Sequence, residues 1–255
     1  RMAEKPLSSS LTEIDTLANT AAMLRVRELF VQGENLSARR EWYAATKNFT
    51  SKQWLVAAQL ANQNRWFPQA VQAMAAAKYW DDIDIRFPQA YRQAFEEQAN
   101  RVDLPLTLLF AMSRQESAFA ADVTSPAGAR GLMQLMPATA KEVARRHDIH
   151  YKSRQQLFDP EKNIRLGSHY LKDMMVRFAN NRILSIASYN AGPHRVSTWQ
   201  EKTAGTLPYD VWIEVIPFNE TRQYVQNVLA YTLIFAHHLE LDQPLLTPAE
   251  KQQLL

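Results

Sequence analysis

Glu116 follows Leu108, Leu109 and Met112 by eight, seven and four residues, a spacing that puts its carboxylate on the apolar stripe of one helix. An acid facing a core needs a chemical reason. The expected helix, Pro105–Ser117, ends one residue later, where the negative end of the macrodipole and burial both disfavour ionisation. A carboxyl kept protonated near neutral pH is what a general acid needs to give a proton to a departing alcohol or glycosidic oxygen. The same position also suits a structural carboxylate paired with Arg114 or Arg130, and spacing alone leaves both readings open. Ordinary glycosidases require a second carboxylate, ~5–5.5 Å away as nucleophile or ~6.5–9.5 Å away as base for water. Asp122 and Glu220 are available, but neither has the apolar surround of Glu116.

Other chemistries are poorly supplied. The chain has no cysteine, which removes disulfides, thiolate metal sites, iron–sulfur clusters and thiol nucleophiles. His147 and His150 are three apart and His237 and His238 are adjacent, both poor ligand spacings, so no metal is expected. Asp81-Asp82-Ile83-Asp84 lacks the glycine and closing glutamate of a calcium loop. With 6 glycines in 255 residues, a phosphate-cradling loop is not expected either, and no cofactor is implied.

The elements that must hold Glu116 are helical. Apolar spacing follows the helical period nearly throughout and no segment alternates long enough for a strand, so the chain reads as all-α. Helices are expected near 11–32, 36–47, 53–62, 68–79 and 88–99, with Thr50 and Gln53 forming a capping box and Pro68 and Pro88 in first turns. Small and aromatic side chains such as Trp54, Ala58, Ala61, Trp66, Ala70 and Ala73 suit close helix pairs of an α-solenoid type. Composition changes around Asn100–Leu104, which divides residues 1–102 from 103–255. The second part is expected to hold helices near 105–117, 137–146, 160–178, 183–190, 196–200, 211–215 and 220–239, with Asp159 and Asn219 as N-caps. The net charge of +3 is too mild to suggest nucleic acid. Within it, Lys141–Arg195 carries 11 basic against 5 acidic residues, which suits an anionic polymer or plain solvated helix faces. The longest uncharged run, Gln223–Leu239, contains Gln226, Asn227, His237 and His238 and is too short and polar for a membrane span. A chain opening at Arg1 without an apolar leader reads as a fragment or processed product.

Three motifs then stand in order: Glu116-Ser117-Ala118-Phe119, Gly131-Leu132-Met133-Gln134-Leu135-Met136-Pro137, and Ser188-Tyr189-Asn190-Ala191-Gly192-Pro193. In order and spacing they resemble the lytic transglycosylases, enzymes that cleave bacterial peptidoglycan. The segment from Ile216-Pro217-Phe218 through Arg222, with Trp80-Asp81-Asp82 and Arg86-Phe87-Pro88 upstream, is similar to the soluble, periplasmic Slt type. The resemblance implies a lysozyme-like (goose-type) catalytic domain preceded by an α-superhelical linker domain, with the long N-terminal superhelical domain lacking. It implies cleavage of the β-1,4 bond between N-acetylmuramic acid and N-acetylglucosamine to 1,6-anhydro products, with peptidoglycan glycan strands as partner. On it, Glu116 is the single catalytic acid and base. Ser125, Gln134 and Met136 line the cleft, Tyr189 and Asn190 hold sugar and acetamido groups, and Glu220 binds substrate from the opposite side. A water-using muramidase on the same fold, or a silent wall-binding scaffold, are the competing readings.

Overall fold

Ser10 and Thr20 decide how the chain begins. Helix α1 (Leu11–Ala18) opens on a capping box, in which the Ser10 hydroxyl accepts from Glu13 N at 3.2 Å while the Glu13 carboxylate accepts from Ser10 N at 3.2 Å. Thr20 then caps α2 (Ala21–Val31) by accepting from Met23 N at 3.3 Å, so the single helix expected over 11–32 is two. The structure, a computed structural model, describes residues 5–203, 205–252 and 254–255. Its contacts form two units: the chain up to Ala90 with Ala118–Ala120, and Tyr91–Ser117 with Ala121–Leu255.

In the first unit follow α3 (Asn35–Thr46), α4 (Ser51–Gln63), α5 (Phe67–Ala77) and the short α6 (Ile83–Arg86). Thr50 and Gln53 form the expected capping box on α4. Fully buried Ala57, Ala58 and Ala61 of α4 and Ala70 and Ala73 of α5 leave room for the two helices to approach closely. Trp66 fills the space beside them, stacked on Phe30 at 4.8 Å and edge-on to Trp42 at 6.2 Å. Gln59 pins the extended entry segment, accepting from Ser9 N at 3.1 Å and donating to Leu7 O at 2.8 Å. Asp82 caps α6 through Ile85 N at 3.0 Å, which leaves Pro88 in the connection after α6 rather than in a helix's first turn.

The second unit holds α7 (Arg92–Val102), α8 (Leu106–Ser117), α9 (Pro137–Arg146), a 3-10 turn (Arg154–Phe158), α10 (Pro160–Arg177), α11 (Arg182–Ala191), α12 (Pro193–Thr203), α13 (Tyr209–Glu214), α14 (Asn219–His238) and α15 (Pro248–Gln252). Phe110 of α8 sits 5.1 Å from Phe95 of α7 and 5.1 Å from Phe235 of α14, so α7 packs with the helices that follow it. By contact the division therefore falls between Ala90 and Tyr91, ahead of the compositional change near Asn100–Leu104. Asp159 caps α10 through Lys162 N at 2.7 Å, but Asn219 is already helical, with extended Phe218 at the cap position of α14. Pro193 starts α12 earlier than the expected 196 because proline suits a first helical turn. Among the described residues the only β pairing is isolated bridges, Thr124 with Arg130, Arg130 with Leu135, and Pro208 with Leu254. No helix among them is long and apolar enough to cross a membrane.

Candidate active site

Packing of α8 along α14 brings the last turn of one helix to the first turns of the other. Glu116 stands on that last turn, half-buried, and the chain leaves the helix through Ala118 and Phe119, both in the left-handed region at φ 49° and 65°. The Tyr224 hydroxyl, itself buried, donates to Glu116 Oε1 at 2.5 Å. Burial raises the Glu116 pKa most, the Tyr224 bond lowers it, the charge of Glu220 raises it, and it comes to about 7. Glu220 and Tyr224 are one helical turn apart on α14 and so share the face turned to Glu116. Among the described residues Glu116 pairs with no lysine or arginine. Arg130 instead lies 5.1 Å over the Phe158 ring and donates to Gln155 at 2.9 Å, and Arg114 lies 5.3 Å over Tyr231.

The loop between α8 and α9 is fixed from three helices. Ser117 of α8 donates to Leu132 O at 2.8 Å. Tyr189 of α11 donates to Met133 O at 2.9 Å. Asn163 of α10, fully buried, accepts from Met133 N at 2.8 Å and donates to Arg130 O at 2.9 Å and Leu157 O at 2.8 Å, which satisfies the whole amide except one lone pair. Such an approach requires glycine on both sides. A Cβ on Gly131 (φ +75°) would meet Leu157 O at 2.1 Å, and one on Gly167 would meet Met133 Sδ at 2.5 Å.

The residues singled out from sequence fall into two groups. Glu116, Tyr189 and Glu220 come together: burial first, then the Glu116 charge, raises the Tyr189 pKa well above its ordinary value. Asn190 is tied to this group through its Oδ1, which accepts from Thr221 of α14 at 2.7 Å. Ser125, Gln134 and Met136 belong to the loop. The Ser125 oxygen accepts from Ala129 N at 3.1 Å and Gln134 Nε2 donates to Gly131 O at 2.8 Å, so both polar groups brace the loop itself. Met136 stands at the N-cap position of α9 and is 41% exposed. Tyr224 and Asn163 were not anticipated. The signal for Tyr224 is its place one turn after Glu220, whereas nothing local marks Asn163. Tyr224→Phe is expected to push the Glu116 carboxyl pKa further up, because the bond removed favours the ionised form. Titration of carboxyl-labelled glutamate by NMR checks this, and an unchanged or lower value would refute it.

Residues 93–211 match the transglycosylase SLT domain, residues 16–83 the soluble lytic murein transglycosylase L domain, and residues 215–244 the soluble lytic transglycosylase helical domain. The chain carries the SLT and L domains of the soluble lytic transglycosylases. The soluble lytic murein transglycosylase of Escherichia coli K12 is 42% identical over 228 residues, 89% of this chain. An inactive glutamate-to-glutamine mutant of the lytic transglycosylase Slt from Pseudomonas aeruginosa is 44% identical over 98% of the chain, with a TM-score of 0.92. The 70-kDa soluble lytic transglycosylase of Escherichia coli is 38% identical over the full chain, with a TM-score of 0.94, and a 70-kDa soluble lytic transglycosylase in complex with bulgecin A is 38% identical over 99% of the chain, with a TM-score of 0.93. The chain spans 35% of the length of the Escherichia coli relative and 41% of each of these solved chains. Like these soluble lytic transglycosylases, it combines a lysozyme-like SLT domain with a helical domain.

Proposed function

We propose that the chain carries the catalytic part of a periplasmic lytic transglycosylase that cleaves peptidoglycan between N-acetylmuramic acid and N-acetylglucosamine. The observation that carries this is Glu116, half-buried beside Tyr224 with a pKa of about 7, so that both its protonated and ionised forms are accessible near neutrality. With Oε1 accepting from Tyr224, Oε2 is left to hold the acidic proton and give it to the glycosidic oxygen. The C1–O bond then breaks, the acetamido group stabilises the positive charge at C1, and the Glu116 carboxylate takes the proton of the muramic acid 6-hydroxyl as O6 bonds to C1. Glu116 ends protonated, ready for the next bond. Asn190, held by Thr221, and Tyr189 would position the sugar and its acetamido group, Met136, Gln134 and Ser125 would line the cleft, and Glu220 would bind substrate from the opposite side. The helices up to Ala90 serve in this reading as a spacer without a catalytic group, and the unit that begins with α7 as the catalytic domain.

The nearby charge of Glu220 favours a second reading, a muramidase in which that carboxylate activates water. Products separate the two. Digestion of purified glycan strands should release 1,6-anhydro ends, lighter by one water than the reducing ends of hydrolysis. Mass spectra dominated by reducing ends would replace the lyase with the muramidase.

A further inference from the structure

Helices α8 and α11 are each held a second time, at the end opposite their site residues, by the segment that follows α14. Gln243 of that segment accepts from the hydroxyl of Thr107, buried in the first turn of α8, at 2.9 Å. Farther on, the segment pairs with the connection before α13, where Leu207 N donates to Leu255 O at 3.1 Å and Leu255 N to Leu207 O at 2.7 Å. Between these two holds it grips Arg182, the first residue of α11. Arg182 Nε donates to Glu250 Oε1 at 3.0 Å, and Nη2 donates to Glu250 Oε2 at 2.8 Å and to Leu245 O at 2.7 Å. Glu250 also accepts from Thr247 N at 2.7 Å, so the carboxylate is itself fixed, and both side chains of the pair are only 10% exposed. A buried ion pair commonly adds little stability over two apolar side chains of similar volume, because desolvation offsets the attraction. What a two-pronged contact of guanidinium and carboxylate gives is direction. Eight residues of continuous helix separate Arg182 from Asn190, about 12 Å, so a slide or tilt at one end is carried to the other. There Tyr189 donates to Met133 O and Asn190 accepts from Thr221, bonds that a displaced helix would pull out of line.

We propose that Arg182 is a positioning residue for the reaction, its fork on Glu250 setting where α11 presents Tyr189 and Asn190 to the sugar. The assignment rests on the sugar-binding roles given to those two residues above. It acts on KM, since Arg182 is at the far end of α11 from both of them. Tyr224 and Glu220, which tune Glu116, stand on α14, so a shift of α11 should leave the acid as it is.

The test replaces the pair with apolar side chains of similar volume, Arg182→Met together with Glu250→Leu, and beside it makes Arg182→Lys, which keeps the charge and loses the fork. Such a double replacement is often neutral or stabilising, so the melting temperature should hold. KM for purified glycan strands should rise roughly tenfold, because a misplacement of about 1 Å costs up to ~10²-fold. Arg182→Lys should fall between the double variant and the wild type. The midpoint of the kcat/KM pH profile, which reads Glu116, should stay in place in both. A folded double variant with the wild-type KM would overturn the proposal, and so would a displaced midpoint, which puts the effect at Glu116 rather than at α11. If the double variant does not fold, a wild-type KM in Arg182→Lys overturns it equally. The side-chain amide resonance of Asn190 needs no substrate: it should move in the variants even where glycan is not turned over, which separates this proposal from the peptidoglycan reading, and an unmoved resonance would refute the positioning of α11.

Discussion

Glu116→Gln is expected to abolish turnover while making the protein more stable at alkaline pH. The amide keeps the shape and an oxygen to accept from Tyr224, but it carries no transferable proton. A general acid or base is worth typically ~10²–10⁴-fold, and here one group does both jobs, so activity should fall at least that far. Stability moves the other way. The folded carboxyl keeps its proton to about pH 7, against a value of 4.5 when unperturbed. Between those values the native state binds more protons than the unfolded one, so the stability of the wild type is full below pH 4.5 and declines as pH rises through 7. At 1.36 kcal/mol per pKa unit the loss is roughly 3 kcal/mol. Glutamine never ionises and escapes that loss. Unfolding at pH 4 should therefore find the two proteins alike, and at pH 8 the variant should melt higher by roughly 6–12 °C. A variant less stable than wild type at pH 8 with turnover retained would remove Glu116 from the mechanism and make it a structural acid.

Gly131→Ala is the second large effect. Its Cβ has no space: Leu157 O would lie 2.1 Å away and Asn163 Nδ2 2.4 Å away, and φ is +75°. Left-handed strain costs roughly 1–2 kcal/mol, and displacement of Asn163 puts its three hydrogen bonds at risk, each worth about 1 kcal/mol. A total of roughly 3–5 kcal/mol should lower the melting temperature by about 10 °C or more. Turnover should fall as well, because the same loop carries Gln134 and Met136. Gly128→Ala supplies the control, since Gly128 has φ +94° but nothing within 4 Å of its Cβ. That change should cost the strain alone. Equal melting losses in the two variants would show that backbone conformation, and not the approach of Asn163, demands glycine at 131.

How much of this could be read in advance depended on whether a relationship was local. Glu116 was visible because Leu108, Leu109 and Met112 share its helical stripe, and helix periodicity is a short-range rule. Its partner Tyr224 lies 108 positions away, where no period connects the two, and only the packing of α8 on α14 brings them into contact. Asn163 reads as an ordinary polar residue in a first helical turn; its burial follows from backbone groups of Arg130, Met133 and Leu157 folding over it. The break between α1 and α2 was hidden because apolar spacing continues across it while the capping bonds of Ser10 and Thr20 set the actual starts. The resemblance placed Ser125 and Gln134 in a sugar cleft, and the structure adds that their polar groups also brace the loop that would form it.

Two consecutive residues, Leu132 and Met133, receive side chains from α8, α10 and α11: Ser117, Asn163 and Tyr189. The three anchors hold one short piece of backbone, so none of them has an energy of its own that can be added to the others. Once one anchor is lost and the loop has relaxed, the remaining two have less left to hold. In a drifting sequence this makes the positions epistatic: Ser117, Asn163 and Tyr189 are constrained jointly, and a change at one alters what the others can tolerate.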